Sequence, residues 1–167
     1  MKKMTEENLH ASLAGESQAH VKYAAFAEQA EKDGKPNVAR LFRAASYSEQ
    51  VHATAHLRTL GGIGASADNL AAAAGGENFE IDEMYPAYIA VAQLQGDKGA
   101  ERSMYRALET EKVHANLYKA AHEAITEGQD ASAQTIWVCP VCGFTMEGEP
   151  PDRCPLCNTP KSKFQKF

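Results

Sequence analysis

The 167-residue chain has no cysteine before Cys139 and no strong excess of either charge. It also lacks any apolar run near the ~18 residues that could cross a bilayer as a helix. The formal charge of −5 supplies no electrostatic reason for a nucleic-acid partner. The opening MKKMTEENLH has two lysines but no apolar stretch behind them, so a secretory signal is not expected. These absences point to a soluble, cytoplasmic protein without membrane or nucleic-acid partners. All four cysteines fall in two Cys-x-x-Cys pairs near the C-terminus. Without an export signal, thiolates gathered on a metal fit better than disulfides. A hydrophobic content of 44% supports one substantial packed domain, with room for a small second one.

What is present is a phrase used twice: EQVHA from Glu49 and EKVHA from Glu111. On an α-helix, residues three apart share a face, so a carboxylate and an imidazole at that spacing can grip one metal ion. Two such helices, with a lone Glu from each of two others, make the dinuclear carboxylate site of a four-helix bundle. One Glu-x-x-His is a weak signal. Two copies in matched surroundings are a strong one.

The spacing predicts helix A over 5–33, with Thr5 as N-cap and Gly34 as terminator. Leu9, Leu13, Glu16, His20, Tyr23, Ala27 and Ala30 form its inward row. Helix B is expected from Pro36 to about Leu60, with Val38, Leu41, Phe42, Ala45, Glu49, His52 and His56 inward. The Gly/Ala-rich stretch that follows is expected to be a crossover holding one short helix at 67–74. Helix C should start near Glu77 and end at Gly96. Helix D should run from Lys98 to Thr126, with Met104, Leu108, Glu111, His114, Tyr118 and Ile125 inward.

The halves repeat. Gly34, Arg40, Glu49, His52 and Ala53 recur 62 positions later as Gly96, Arg102, Glu111, His114 and Ala115. Gly15-Glu16, however, answers Gly76-Glu77 at an offset of 61, and Tyr23 answers Tyr85 at 62. Helix C thus holds one extra residue between its Glu and its Tyr, which predicts a π-bulge. Helix C also places a second carboxylate, Glu80, one turn past Glu77.

Glu16, Glu49, His52, Glu77, Glu80, Glu111 and His114 therefore put five carboxylates and two imidazoles on inward rows. Such a cluster needs metal to neutralise it, and oxygen ligands with imidazole suit iron or manganese. The acidic excess lies in this part: residues 1–134 carry 13 Lys and Arg against 19 Asp and Glu. Glu83 is a weaker alternative to Glu80. His20 and His56, one turn past Glu16 and His52, are expected to support ligands or to be polar residues at the end of the stripe rather than to bind directly. His10 and His122 are expected to face solvent.

In AGESQAHVKY, EQVHA, GENFEIDEMYP, EKVHA and the cysteine tail, the chain resembles a rubrerythrin over nearly its whole length. The resemblance implies a mainly α protein: a ferritin-like four-helix bundle at 1–134, then a small rubredoxin-like four-cysteine metal domain at 135–167. It implies two non-haem irons, bridged by Glu49 and Glu111. Glu16 would be terminal on one iron, with Glu77 and His114 on the other. Glu80 and His52 would alternate with oxidation state, and Tyr23 and Tyr85 would hydrogen-bond to the ligand shell. The B-to-C crossover is short for many members, which opens the possibility of helix pairs exchanged between chains.

Cys139, Cys142, Cys154 and Cys157 can close a tetrahedral site, for which spacing alone allows zinc or iron. CPVCG, CPLC and PKSKF resemble the rubredoxin-like domain, which implies one iron in an Fe(Cys)4 centre. The implied activity is a peroxidase that reduces hydrogen peroxide to water. Its electrons would come from a rubredoxin or a flavoprotein NAD(P)H reductase. A ferritin-like ferroxidase and a non-enzymatic bundle with a structural zinc tail are the alternatives. Glu111 lies ~22 Å from the expected end of helix D. The linker from Glu127 to Thr135 can stretch ~30 Å. The tail could fold back on its own bundle, though nothing local predicts docking there. The resemblance implies a head-to-tail homodimer in which one chain's cysteine site serves its partner's diiron site.

Overall fold

The computed structural model describes residues 1–167 and divides into two compact units, Met1–Gly64 and Ala65–Phe167. The first unit is a helical hairpin, α1 (Lys3–Lys32) and α2 (Pro36–Thr59). Gly34 makes the turn with φ of 68°, a left-handed conformation that suits glycine. Ala27, Ala30 and Ala39 are buried, small enough to let the two backbones approach. Midway, His20 Nδ1 donates to the Ser46 carbonyl at 2.9 Å, and Ser46 Oγ donates to the His20 carbonyl at 2.9 Å. This reciprocal pair latches α1 to α2, each bond contributing about 1 kcal/mol. Tyr23, Phe26 and Phe42 pack their rings beside it.

The whole row predicted for α1, from Leu9 to Ala30, is partly or fully buried. The α2 row is less uniform: Phe42, Ala45, Glu49 and His56 are partly buried, whereas Val38, Leu41 and His52 are exposed. Thr5 is not the N-cap, because the helix already begins at Lys3, after an uncapped Lys2.

The second unit pairs a long composite helix with α5 (Lys98–Thr126). The composite helix is α3 (Ser66–Phe79), a π-helical turn (Glu80–Met84) and α4 (Tyr85–Gln95). Helix C thus starts eleven residues before the expected Glu77, and the crossover shrinks to residues 60–65. The alanines at 71–74 carry no apolar period, yet their high helix propensity lets the helix continue through them. The expected bulge is present: the Tyr85 amide donates to the Glu80 carbonyl, an i to i+5 bond. Gly96, with φ of 72°, ends α4. Asp97 caps α5 by accepting from the Gly99 and Ala100 amides at 3.0 Å.

After α5 the chain forms a three-stranded antiparallel sheet, ordered β2-β1-β3, from β1 (Ile136–Val138), β2 (Thr145–Glu147) and β3 (Gln165–Lys166). Its small core is Cys139, Cys154 and Phe164, with Trp137, Phe144 and Leu156 against them. The sheet lies against α5 of its own chain through β2.

The π turn sets which side chains of the composite helix share a face. Deleting Asp82 should regularise that helix and rotate Glu77 and Glu80 by ~100° relative to Tyr85 and α4. The expected result is loss of metal from the helical part while the four-cysteine site keeps its own, read by metal analysis. Full metal content would show that the turn positions nothing.

Candidate metal centres

Three groups of side chains stand at metal-ligating separations, and each has its ligand atoms within 4.8 Å of one another. The first lies on the α1–α2 hairpin: Glu16, Glu49 and His52. Glu49 Oε2 is 3.1 Å from His52 Nδ1. Glu16 and Glu49 face each other and share a hydrogen bond. That bond pushes the Glu16 pKa up and holds Glu49 down, as expected of two carboxyls competing for one proton. His56 lies close enough for its charge to act on Glu16.

The second lies on α3 and α5: Glu77, Glu111 and His114. His114 Nδ1 is 2.7 Å from Glu111 Oε2 and 3.7 Å from Glu77 Oε1. Burial and then Glu111 push the pKa of Glu77 up, and the same causes raise Glu80. Glu80 enters this neighbourhood from the π turn. Burial, followed by Glu80, Glu111 and Glu77, raises the Tyr85 phenol. Tyr118 responds to burial, Glu77 and Glu111 in the same way. Sequence periodicity marks Tyr118 only as an inward residue. Its place one turn past His114 is the available signal for more.

Not every candidate gathers at these triads. Tyr23 makes its described contacts with aromatic rings, and His20 latches the hairpin through Ser46. Neither residue makes a described contact with a triad.

The third group is Cys139, Cys142, Cys154 and Cys157, all with free thiols. Cys139 and Cys157 Sγ are 3.5 Å apart, as are those of Cys142 and Cys154, far beyond a disulfide bond. Four sulfurs ~2.3 Å from a central metal are ~3.8 Å from one another, so the cluster fits one tetrahedral ion. Each Cys-x-x-Cys closes in a matched knuckle. The Gly143 amide donates to the Cys139 carbonyl at 3.0 Å, and the Asn158 amide to the Cys154 carbonyl at 2.9 Å. Both closing residues are left-handed, with φ of 80° and 64°. Burial pushes the Cys142 and Cys154 thiols up. Burial opposes ionisation of Cys157 too. Hydrogen bonds from the Thr159 side chain and backbone, then from Cys142 and Cys139, overcome it and bring Cys157 to about 6.

One contact joins the second and third groups. His114 Nε2 lies 2.9 Å from Thr145 Oγ1, and that hydroxyl donates to the Gly143 carbonyl at 2.9 Å. Its single proton is thereby committed, so Thr145 accepts and His114 Nε2 carries the proton. Nδ1, facing the two carboxylates, is the nitrogen left for a metal. A cleft of ≈ 510 Å³ opens beside this contact, lined by Leu70, His114, Leu117, Tyr118, Ile136 and Val138 among others.

Two family models match the chain: "Rubrerythrin" over residues 7–122, and "Rubrerythrin, rubredoxin-like domain" over 137–165. The chain belongs to the rubrerythrin family. It is 40% identical to Rubrerythrin-2 of Clostridium acetobutylicum, covering 98% of this chain and 97% of that one. It is 36% identical to nigerythrin of Nitratidesulfovibrio vulgaris, covering 98% and 86%. The solved structure described as the fully reduced, all-ferrous state of nigerythrin matches with a TM-score of 0.58 at 34% identity, over 98% of this chain and 86% of that one. The protein therefore carries the helices of a ferritin-like bundle and a rubredoxin-like four-cysteine domain. Its carboxylate–imidazole groups suit a diiron site, and its four cysteines suit a rubredoxin-type iron.

Thr145 holds the tautomer of His114, so Thr145→Val should lower metal affinity at the Glu77–Glu111–His114 group by ~10- to 100-fold. Thr145→Ser should retain it. Competition against a chelator measures this, and equal affinities for all three proteins would remove the role assigned to Thr145.

Proposed function

We propose that the protein is a non-haem diiron peroxidase: it reduces hydrogen peroxide to water with electrons passed through its Fe(Cys)4 centre. The carrying observation is the hydrogen-bonded path from His114 through Thr145 and Gly143 to the first cysteine knuckle. An iron store or a bundle with a structural zinc tail has no use for a bond between a metal ligand and the cysteine module. The balance is H2O2 + 2 e− + 2 H+ → 2 H2O, and a bound iron pair would supply the two electrons.

The chain's residues hold and tune that pair. Residues 1–134 form the diiron module and 135–167 the electron-transfer module. Glu49 and Glu111 would each serve both ions, Glu16 would hold one, and Glu77 and His114 would hold the other. Five carboxylates nearly balance the +4 of two ferrous ions, which limits the cost of desolvating the site. Glu80 and His52 would be alternative ligands to one ion. His52 is exposed and Glu80 sits on the π turn, so both have freedom to move. Tyr85 keeps its proton because burial and three carboxylates raise its pKa, and it stays a hydrogen-bond donor to the ligand shell. Tyr23, which packs against Phe26 and Phe42, takes no equivalent role on α1. Electrons arrive from a rubredoxin or flavoprotein NAD(P)H reductase in the cytoplasm, and the working form is a homodimer.

The test is anaerobic rapid mixing of fully reduced, iron-loaded protein with peroxide. Each peroxide should remove two electrons, and the red ferric–thiolate absorption should return only after the diiron site has been oxidised. Colour returning at the same rate in Glu111→Ala, or no peroxide consumption at all, would refute the peroxidase reading. Glu49→Ala and Glu111→Ala should each lose most dinuclear metal. His52→Ala should still assemble the oxidised site but handle peroxide poorly, whereas His114→Ala should weaken one ion in both states. Two histidine variants that behave alike would leave the asymmetry of the site without support.

A further inference from the structure

We infer that Thr145 and the Gly143–Phe144 peptide couple the two metal groups of residues 65–167, so that metal held by Glu77, Glu111 and His114 raises the reduction potential of the iron held by the four cysteines. Thr145 is a positioning residue here: it touches neither metal and acts through its hydrogen bonds. The inference goes beyond the peroxidase reading, because it concerns how one metal group responds to the other, whatever the oxidant.

The coupling runs through bonds that share one direction. Glu111 Oε2 lies 2.7 Å from His114 Nδ1. On the far side of the ring, Nε2 donates to Thr145 Oγ1 at 2.9 Å, and that hydroxyl donates to the Gly143 carbonyl at 2.9 Å. The same peptide group carries the Phe144 amide, which hydrogen-bonds to the Cys142 sulfur. Every donor beyond the imidazole therefore points toward that sulfur. Thr145 is only 6% exposed, so water does not compete for its hydroxyl.

The other knuckle is built differently. The Leu156 and Cys157 amides serve the Cys154 sulfur. Thr159 brings its hydroxyl to 3.0 Å from the Cys157 sulfur, inside the cysteine domain. Thr145 instead spends its hydroxyl on a link between α5 and Gly143. One knuckle is closed on itself, and the other is tied to a ligand of the helical group.

The sign follows from charge. Reduction adds one negative charge to a centre of four thiolates, so a stronger N–H···S bond favours the reduced iron and raises its potential. A cation at Nδ1 draws electron density from the imidazole and makes Nε2–H the better donor. Successive bonds in such a run polarise one another, each by ~10–30%. An electron therefore settles on the cysteine iron more readily when the helical group is filled. By linkage, reduction of the cysteine iron tightens metal binding at the helical group by the same factor.

The test uses the full chain with iron at its cysteines. The helical group is first emptied by a chelator and then saturated with zinc, which has no redox chemistry of its own. Spectroelectrochemistry at the red ferric–thiolate absorption reads the potential, and metal analysis verifies the loading. In the wild type and Thr145→Ser, zinc should favour reduction about threefold more than it does in Thr145→Val, a difference of ~28 mV at about 59 mV per tenfold. Charge acting through space is common to all three proteins, so the difference isolates the bonded route. Competition against a chelator should show the reverse effect: reduction tightens zinc about threefold more in the wild type than in Thr145→Val. Equal shifts in the wild type and Thr145→Val overturn the inference, as does a helical group that takes up no zinc. If the valine variant does not hold iron at its cysteines, the wild type with zinc at its cysteines decides by nuclear magnetic resonance. Zinc titrated into the helical group should move the Phe144 amide proton downfield and leave those of Leu156 and Cys157 in place. A Phe144 signal that stays put, or three signals that move alike, overturns the inference.

Discussion

Repulsion between carboxylates is the constraint on which the helical part depends. Glu16 faces Glu49 on one hairpin, and Glu77 faces Glu111 on the other pair. Without a cation each pair must share a proton or hold a histidine close, which is the state seen in the raised pKa of Glu16 and Glu77 and in the 2.7 Å contact of His114 with Glu111. A divalent ion replaces the shared proton and turns the repulsion into coordination. Features beside the triads serve this exchange. The His20–Ser46 latch fixes α1 against α2 one turn from Glu16, and the π turn brings Glu80 within range of Glu111.

The cysteine module solves a related problem in softer chemistry. Two knuckles with left-handed closing residues aim four sulfurs inward, and burial disfavours the charge that at least Cys142 and Cys154 must carry to bind. Metal binding and folding are therefore one process in a domain whose buried core is two of those cysteines and Phe164. The sheet adds one functional contact outside itself. Thr145 opens β2, accepts from His114 and donates to Gly143, so its hydroxyl both orients the imidazole of the Glu77–Glu111–His114 group and ties it to the first cysteine knuckle. The cysteine domain is thereby held against α5 of its own chain.

Much of this is legible in the sequence because both sites advertise themselves through spacing. EQVH and EKVH are periodic signals, the α1 row is regular from Leu9 to Ala30, and the 61-against-62 offset between the repeats marks the π turn. The misses have equally physical causes. The start of α3 is hidden because the alanines at 71–74 form a helix by propensity without an amphipathic period. The Thr145 contact is invisible since a single hydroxyl on a strand carries no spacing signature, and its partner lies 31 residues away. Symmetry with Tyr85 suggests a ligand-shell role for Tyr23, yet its ring packs with Phe26 and Phe42. The repeat thus predicts backbone equivalence better than side-chain role.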